Sequence, residues 1–196
     1  MRVATYVNPI LRMGYSIATS IECLFIVTTY LNHLRPVYKI PLVEYIPLPT
    51  GISQTPGYTA TLGLLIGIVG GLFRILCYNA LGKSFTFNTT LKGPKLVTSG
   101  PYSLVRHPSY LAVWLISTGL TVYHLSPGSW VRESDILKHD AWKLVVGLWA
   151  FMAVFVTNVC LTMRTVDEDQ LMKRTFGEEW ETWRKVVRYR VLPGLF

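Results

Sequence analysis

The chain has 196 residues, 51% of them hydrophobic and 15% charged, with a formal net charge of +8. Its mean hydropathy of +0.35 is high for a water-soluble protein, and the apolar residues come in long blocks, as in integral membrane proteins. The basic residues flank those blocks, so the positive-inside rule accounts for the charge and argues against nucleic acid as a partner.

The length predicts a single domain over 1–196. Cys23, Cys77 and Cys160 lie far apart inside apolar blocks, without ligand spacing, so they read as small buried hydrophobes rather than as a disulfide framework or a metal site. In chain order, a head carrying Arg2 and Arg12 leads to a first apolar block, about Met13 to Leu34, read as an uncleaved membrane helix. Glu22 sits near its middle, where a carboxyl is costly and should face other helices. Residues 35–56 hold five prolines and predict a loop. The second block, Tyr58 to Leu81, carries Gly63, Gly67, Gly70 and Gly71. Its small-xxx-small spacings suit close helix packing, and it lacks the lysine of a phosphate-binding loop. Arg74, toward its far end, is predicted either to snorkel or to pair with Glu22.

Residues 82–107 form a polar loop, with a short strand-like piece at 84–90. Its end, Val97 to Tyr110, crowds Tyr102, Arg106, His107, Ser109 and Tyr110 into a short span bent by Gly100 and Pro101. Pro108 suits the first turn of a helix, where its missing N–H costs nothing. The third block therefore runs from Pro108 to about Leu125, and a dense polar cluster stands at its mouth. A turn at Ser126-Pro127-Gly128 and a charged connection over 129–140 follow. The fourth block runs from about Trp142 to Met163. Beyond Arg164, Met172, Phe176, Trp180, Trp183 and Val187 recur on one face of an amphipathic helix, with a break predicted at Gly177. That helix lies on a membrane or packs back onto the 82–107 loop.

The fold class is thus all-α: a polytopic membrane protein of about four spans with a C-terminal amphipathic helix. Four spans put the N-terminus, the 82–107 loop and the basic tail on one side, which the charge bias makes cytosolic.

At Arg106-His107-Pro108-Ser109-Tyr110 the sequence resembles the isoprenylcysteine carboxyl methyltransferase family, in a fungal-like form. The likeness extends upstream through Leu96 to Tyr102. It returns at Arg164 to Asp169 and at Phe176-Gly177-Glu178-Glu179-Trp180, and ends in Tyr189-Arg190-Val191-Leu192-Pro193-Gly194. It covers about 74–196. The wider superfamily includes phospholipid N-methyltransferases and the C-terminal part of sterol reductases. The resemblance implies a multi-pass protein of the endoplasmic reticulum that methylates the C-terminal carboxylate of prenylated cysteine. Its methyl donor would be S-adenosyl-L-methionine, held by Pro94, Lys95, Leu96, Val97, Tyr102, His107, Pro108, Ser109, Tyr110 and Glu168. Arg164 would bind the substrate and, with Glu168, form the catalytic pair. Ala112 departs from a usual glycine, Asp169 from a usual glutamate, and Trp180 and Trp183 from frequent tyrosines.

The chemistry suits these residue types. An ionised carboxylate needs no general base, only alignment and desolvation, and arginine holds it through a fork-shaped cation. Glu168 lies one turn beyond Arg164 and can share its face. Three alternatives stand beside this reading. A phospholipid amine acceptor would need a base and a cage for its cation. An NADPH-dependent sterol reductase shares the Tyr-Arg-Val-Leu-Pro-Gly ending, although the chain is short for that group's helices. A non-catalytic scaffold is the fourth.

Overall fold

Every regular element among the described residues is helical. The computed structural model describes residues 2–34, 57–82 and 95–194. In chain order these are α1 (Arg2–Leu34), α2 (Tyr58–Leu81), α3 (Pro108–Leu125), a single turn α4 (Trp130–Glu133), α5 (Asp140–Phe151), α6 (Thr157–Phe176) and α7 (Glu178–Val186). Short 3-10 turns occupy Gly100–Ser103 and Asp135–Lys138, and a π-helical turn, Met152–Val156, joins α5 to α6.

Among the described residues two helices are long and apolar enough to cross a membrane: α2, and the continuous 37-residue rod Asp140–Phe176. Only 22% and 11% of their most apolar stretches are buried. Leu62, Leu72, Leu144 and Phe155 are each more than half exposed, so these are greasy outer surfaces rather than the hidden helices of a water-soluble core. The other two expected spans are α3, at 18 residues, and the 16-residue apolar part of α1, Met13–Thr28. At 1.5 Å per residue the rod is roughly 55 Å long, against about 30 Å of hydrocarbon, so its polar end from Arg164 onward extends beyond any one crossing.

The fourth block therefore does not stop at Met163. Nothing between Arg164 and Phe176 breaks a helix, and polar side chains are good helix formers. Gly177 ends it, at φ +54, the left-handed region only glycine enters cheaply. The five-residue face predicted over 172–187 is thus divided between α6 and α7. The predicted loop piece at 84–90 and the 35–56 segment lie outside the described residues.

The described chain forms two compact units. The first joins Ile66–Thr118 with Ala153–Phe196. Its core is Cys77, Leu96, Tyr102, Trp180, Trp183 and Val187, flanked by Phe73, Val97, Met172 and Phe176. So α7 packs back onto the segment after Lys95, one of the two arrangements foreseen for it. In this unit α2 and α3 approach closely at Gly70: a Cβ there would stand 2.8 Å from the Leu115 Cβ and 2.9 Å from the Ile116 nitrogen. Gly71, by contrast, faces open space.

The second unit joins Arg2–Leu65 with Gly119–Met152. Here Gly63 makes the close approach, to the Tyr123 nitrogen and the Gly119 carbonyl. The Glu22 carboxylate accepts hydrogen bonds from the Trp130 N–H at 2.9 Å and the Tyr123 hydroxyl at 3.3 Å. It thereby caps α4.

Candidate functional site

The site grows from the turn that starts α3. Arg106 and His107 are held by their neighbours in space: the Arg106 N–H donates to the Tyr189 carbonyl at 2.9 Å, and the His107 N–H to the Arg190 carbonyl at 2.7 Å. Pro108 then opens α3 as its first residue and is fully buried. Arg74 reaches from α2 and donates through Nη1 to both the backbone carbonyl (3.1 Å) and the hydroxyl (3.2 Å) of Ser109. It also lies 5.0 Å above the Tyr78 ring. These contacts pin the first turn of α3, on which Tyr110 stands.

From α6, Glu168 and Asp169 project into this turn. Successive helical residues point about 100° apart, so the two carboxylates take different partners. One oxygen of Glu168, Oε1, accepts from the Tyr110 hydroxyl at 2.5 Å and from Arg164 Nε at 2.8 Å. The other, Oε2, lies 3.4 Å from His107 Nδ1. Asp169 Oδ1 lies 2.9 Å from His107 Nε2, and its Oδ2 accepts from Arg190 Nε at 2.9 Å and lies 3.3 Å from Arg106 Nη2. Both nitrogens of one imidazole thus face carboxylates, which calls for a proton on each. Burial alone would lower the His107 pKa, but the hydrogen bonds and charges of Asp169 and Glu168 outweigh it and raise it above the ordinary value. The two carboxylates thus favour the doubly protonated ring, which stacks at 5.7 Å on Tyr110.

Of the residues predicted to meet a ligand, the structure brings His107, Tyr110, Glu168 and Arg164 together in one network. Leu96, Val97 and Tyr102 belong instead to the apolar core, and burial pushes the Tyr102 phenol up. Lys95 is exposed, and Ser109 faces Arg74. Pro94 lies outside the described residues. Arg164 commits its Nε to Glu168, on the shared face expected for the two, and its side chain is 36% exposed.

Asp169, Arg190 and Arg74 were not among the predicted site residues. Asp169 entered the sequence reading only as a departure, yet it is 6% exposed and joins three cations. Arg190 could have been suspected from the Tyr-Arg-Val-Leu-Pro-Gly ending, the motif that already pointed to reductases. Ala112 is fully buried and its carbonyl would lie 3.0 Å from a Cβ on Gly70. The close contact there rests on the glycine of α2 rather than on one in α3. Among the described residues no group of three or more His, Cys, Asp or Glu is placed to hold a metal ion.

The polar network does not by itself distinguish a sulfonium methyl donor from a dinucleotide, since each brings ribose hydroxyls and charged ends. Comparison with known proteins does. Residues 72–196 match the model of the ergosterol biosynthesis ERG4/ERG24 family. The chain is 31% identical over 120 residues to the Delta(14)-sterol reductase ERG24A of Gibberella zeae, covering 55% of this chain and 25% of that protein. It is 26% identical to the Delta(14)-sterol reductase of Neurospora crassa, over 58% of this chain and 26% of the relative. Identity to Delta(14)-sterol reductase erg24 of Schizosaccharomyces pombe is 27%, over 58% of this chain and 22% of the relative. The chain thus spans about a quarter of the length of these relatives. These matches overturn the expected prenylcysteine carboxyl methylation, its S-adenosyl-L-methionine and its place in the processing of prenylated proteins. They support the sterol reductase alternative. Shortness was a poor objection to it, because the likeness is confined to one part of the longer proteins.

Proposed function

Because the chain belongs to the ergosterol biosynthesis ERG4/ERG24 family, we propose that it serves the NADPH-dependent reduction of a sterol carbon–carbon double bond. The relatives are named for the Δ14 bond, and that is the bond assigned here. The location that goes with this reading is the endoplasmic reticulum membrane, with the His107 turn and the tail on the cytosolic side, where the cofactor is dissolved.

The residues present fit a phosphate-bearing dinucleotide. Among the described residues, Arg106, His107, Arg164 and Arg190 gather round Glu168 and Asp169, a cluster rich in the charged donors that phosphate oxygens accept. The side chains of Arg164 and Arg190 are 36% and 27% exposed, open enough for an anionic ligand to reach. NADPH, when bound, supplies a hydride.

An isolated alkene accepts hydride only when a proton is added to its other carbon, so the protein must supply an acid and steady a carbocation. Tyr110 offers its hydroxyl at the foot of α3. Glu168 accepts from that hydroxyl and faces His107, so once the phenol has given its proton to the alkene carbon, a proton from the imidazole side can return to it through the carboxylate. The Glu168 carboxylate, fixed by Arg164, also supplies the negative charge that a nearby carbocation requires. One proton and one hydride convert the alkene to the saturated pair of carbons.

The observation that carries this reading is that Glu168 joins Tyr110, Arg164 and His107 inside the segment that matches the family. The test is to give membranes bearing the chain a Δ14-sterol and NADPH, and to follow the gain of two hydrogens by mass spectrometry. Tyr110→Phe and Glu168→Gln should each slow reduction by at least about a hundredfold. Full activity of either variant at equal expression would remove the assigned role. A wild-type chain that is folded yet leaves the sterol unchanged would remove the reading.

A further inference from the structure

Between α3 and the α6 rod runs a groove of ≈ 290 Å³ lined by Trp114, Val154, Phe155, Asn158, Val159 and Thr162. It begins at the π-helical turn Met152–Val156 and ends at Met163, the residue before Arg164. A π turn widens a helix locally and is frequent where helices carry a function. Phe155 and Val159 are 58% and 41% exposed, so the groove opens toward the greasy surroundings of the rod.

Two polar groups interrupt the apolar wall. The indole N–H of Trp114 is buried and has no hydrogen-bond partner among the described residues. The Asn158 side chain takes the Ser117 hydroxyl at 3.5 Å, the long limit of such a bond. A buried donor left unmatched is costly, so a ligand that brings an acceptor within its reach gains that interaction. An acyl chain has none to offer. A hydroxyl on a rigid apolar body does.

The register sets which way such a body lies. Trp114 stands one turn beyond Tyr110 on α3, and Asn158 stands six residues before Arg164, roughly 9 Å along the helix at 1.5 Å per residue. That is the reach of a fused four-ring nucleus, in which the ring hydroxyl and the Δ14 bond lie at opposite ends. We infer that this groove seats the sterol, its hydroxyl toward Trp114 and Asn158 and its Δ14 end toward Tyr110 and Arg164. The inference rests on the reductase reading for the choice of ligand. It adds where that ligand binds, which way it points, and which residues select it.

The test uses the full chain in phosphatidylcholine nanodiscs with a fluorescent conjugated-triene sterol, read by energy transfer from tryptophan. NADPH binding is measured separately on each variant as a check of folding. Val159→Trp fills the groove and should weaken sterol binding about tenfold or more, the effect of one overpacked side chain. Asn158→Leu and removal of the sterol hydroxyl should each weaken it severalfold and not add together. Val145→Trp, exposed elsewhere on the rod, should bind as wild type. Unchanged affinity in Val159→Trp with NADPH binding intact overturns the inference, whether or not the sterol is reduced. Equal affinity for the sterol lacking its hydroxyl overturns the assigned orientation and leaves a greasy slot suited to acyl chains. Sterol binding that depends on the groove without reduction in the membrane assay leaves the seat in place and removes the reductase reading.

Discussion

Substituting Asp169 by Asn tests the network at its most connected point. The change keeps shape and one carbonyl oxygen but removes the charge that Arg106, His107 and Arg190 share. Asp169 is 6% exposed and Arg106 is 7% exposed, so solvent cannot take over the role. Breaking a buried ion pair on one side costs about 3–5 kcal/mol, because the orphaned cation stays buried. Here Arg190 is partly exposed and can turn outward, and the amide still accepts one bond, so about 2–4 kcal/mol is expected. For a chain of this size that corresponds to a fall of roughly 5–15 °C in the thermal midpoint. The assay is a thermal scan of purified protein in lipid nanodiscs, with Glu181→Gln as the exposed counterpart. Glu181 bonds Lys173 at 2.6 Å on the surface and should shift the midpoint little. A D169N midpoint within a degree or two of wild type would show that the three cations do not depend on this carboxylate.

Three further outcomes follow from the same geometry. The raised pKa of His107 stabilises the fold fully below the ordinary imidazole value near 6.5, and that contribution is lost as pH rises through the elevated value. Midpoints measured from neutral to alkaline pH should therefore decline, and His107→Gln should flatten the decline; a parallel slope in the variant would refute the assignment. Gly70→Ala should cost about 1–3 kcal/mol through overpacking against Leu115 and Ile116, while Gly71→Ala should be neutral or slightly stabilising. Equal stabilities of those two variants would show that α2 and α3 yield at the contact. Arg74→Met should lower sterol reduction through the position of Tyr110, appearing in kcat more than in the KM for NADPH, and a pure KM effect would instead make Arg74 a cofactor contact.

Much of the fold was legible because punctuation residues act locally. Pro108 opens α3, the second block gives α2 to the residue, and Gly177 breaks the tail where its backbone freedom is needed. The two turns Trp130–Glu133 and Asp135–Lys138 were read as plain connection, since single turns leave no periodicity. The acceptor role of Glu22 toward the Trp130 N–H was not legible, because depth along a helix says nothing about its azimuth and a backbone N–H is invisible to a search for cations.

The convergence of His107, Tyr110, Arg164 and Glu168 was also legible, from polar residues gathered at the ends of apolar blocks. Their chemistry was not. A ring of arginines, a histidine and carboxylates tells of an anionic or ribose-bearing cofactor, and the choice between methyl and hydride donors rests on atoms the motif does not name. Leu96, Val97 and Tyr102 were assigned to a ligand by likeness, although their apolar character already suited the core they occupy.

The hydrogen bonds from Arg106 and His107 to the carbonyls of Tyr189 and Arg190 tie the mouth of α3 to residues translated more than eighty positions later. During synthesis the histidine turn therefore waits, its two backbone N–H groups without these acceptors, until the polypeptide around Arg190 has left the ribosome. A ribosome stalled shortly after α6 would leave the helices inserted in the bilayer and the site still unlatched.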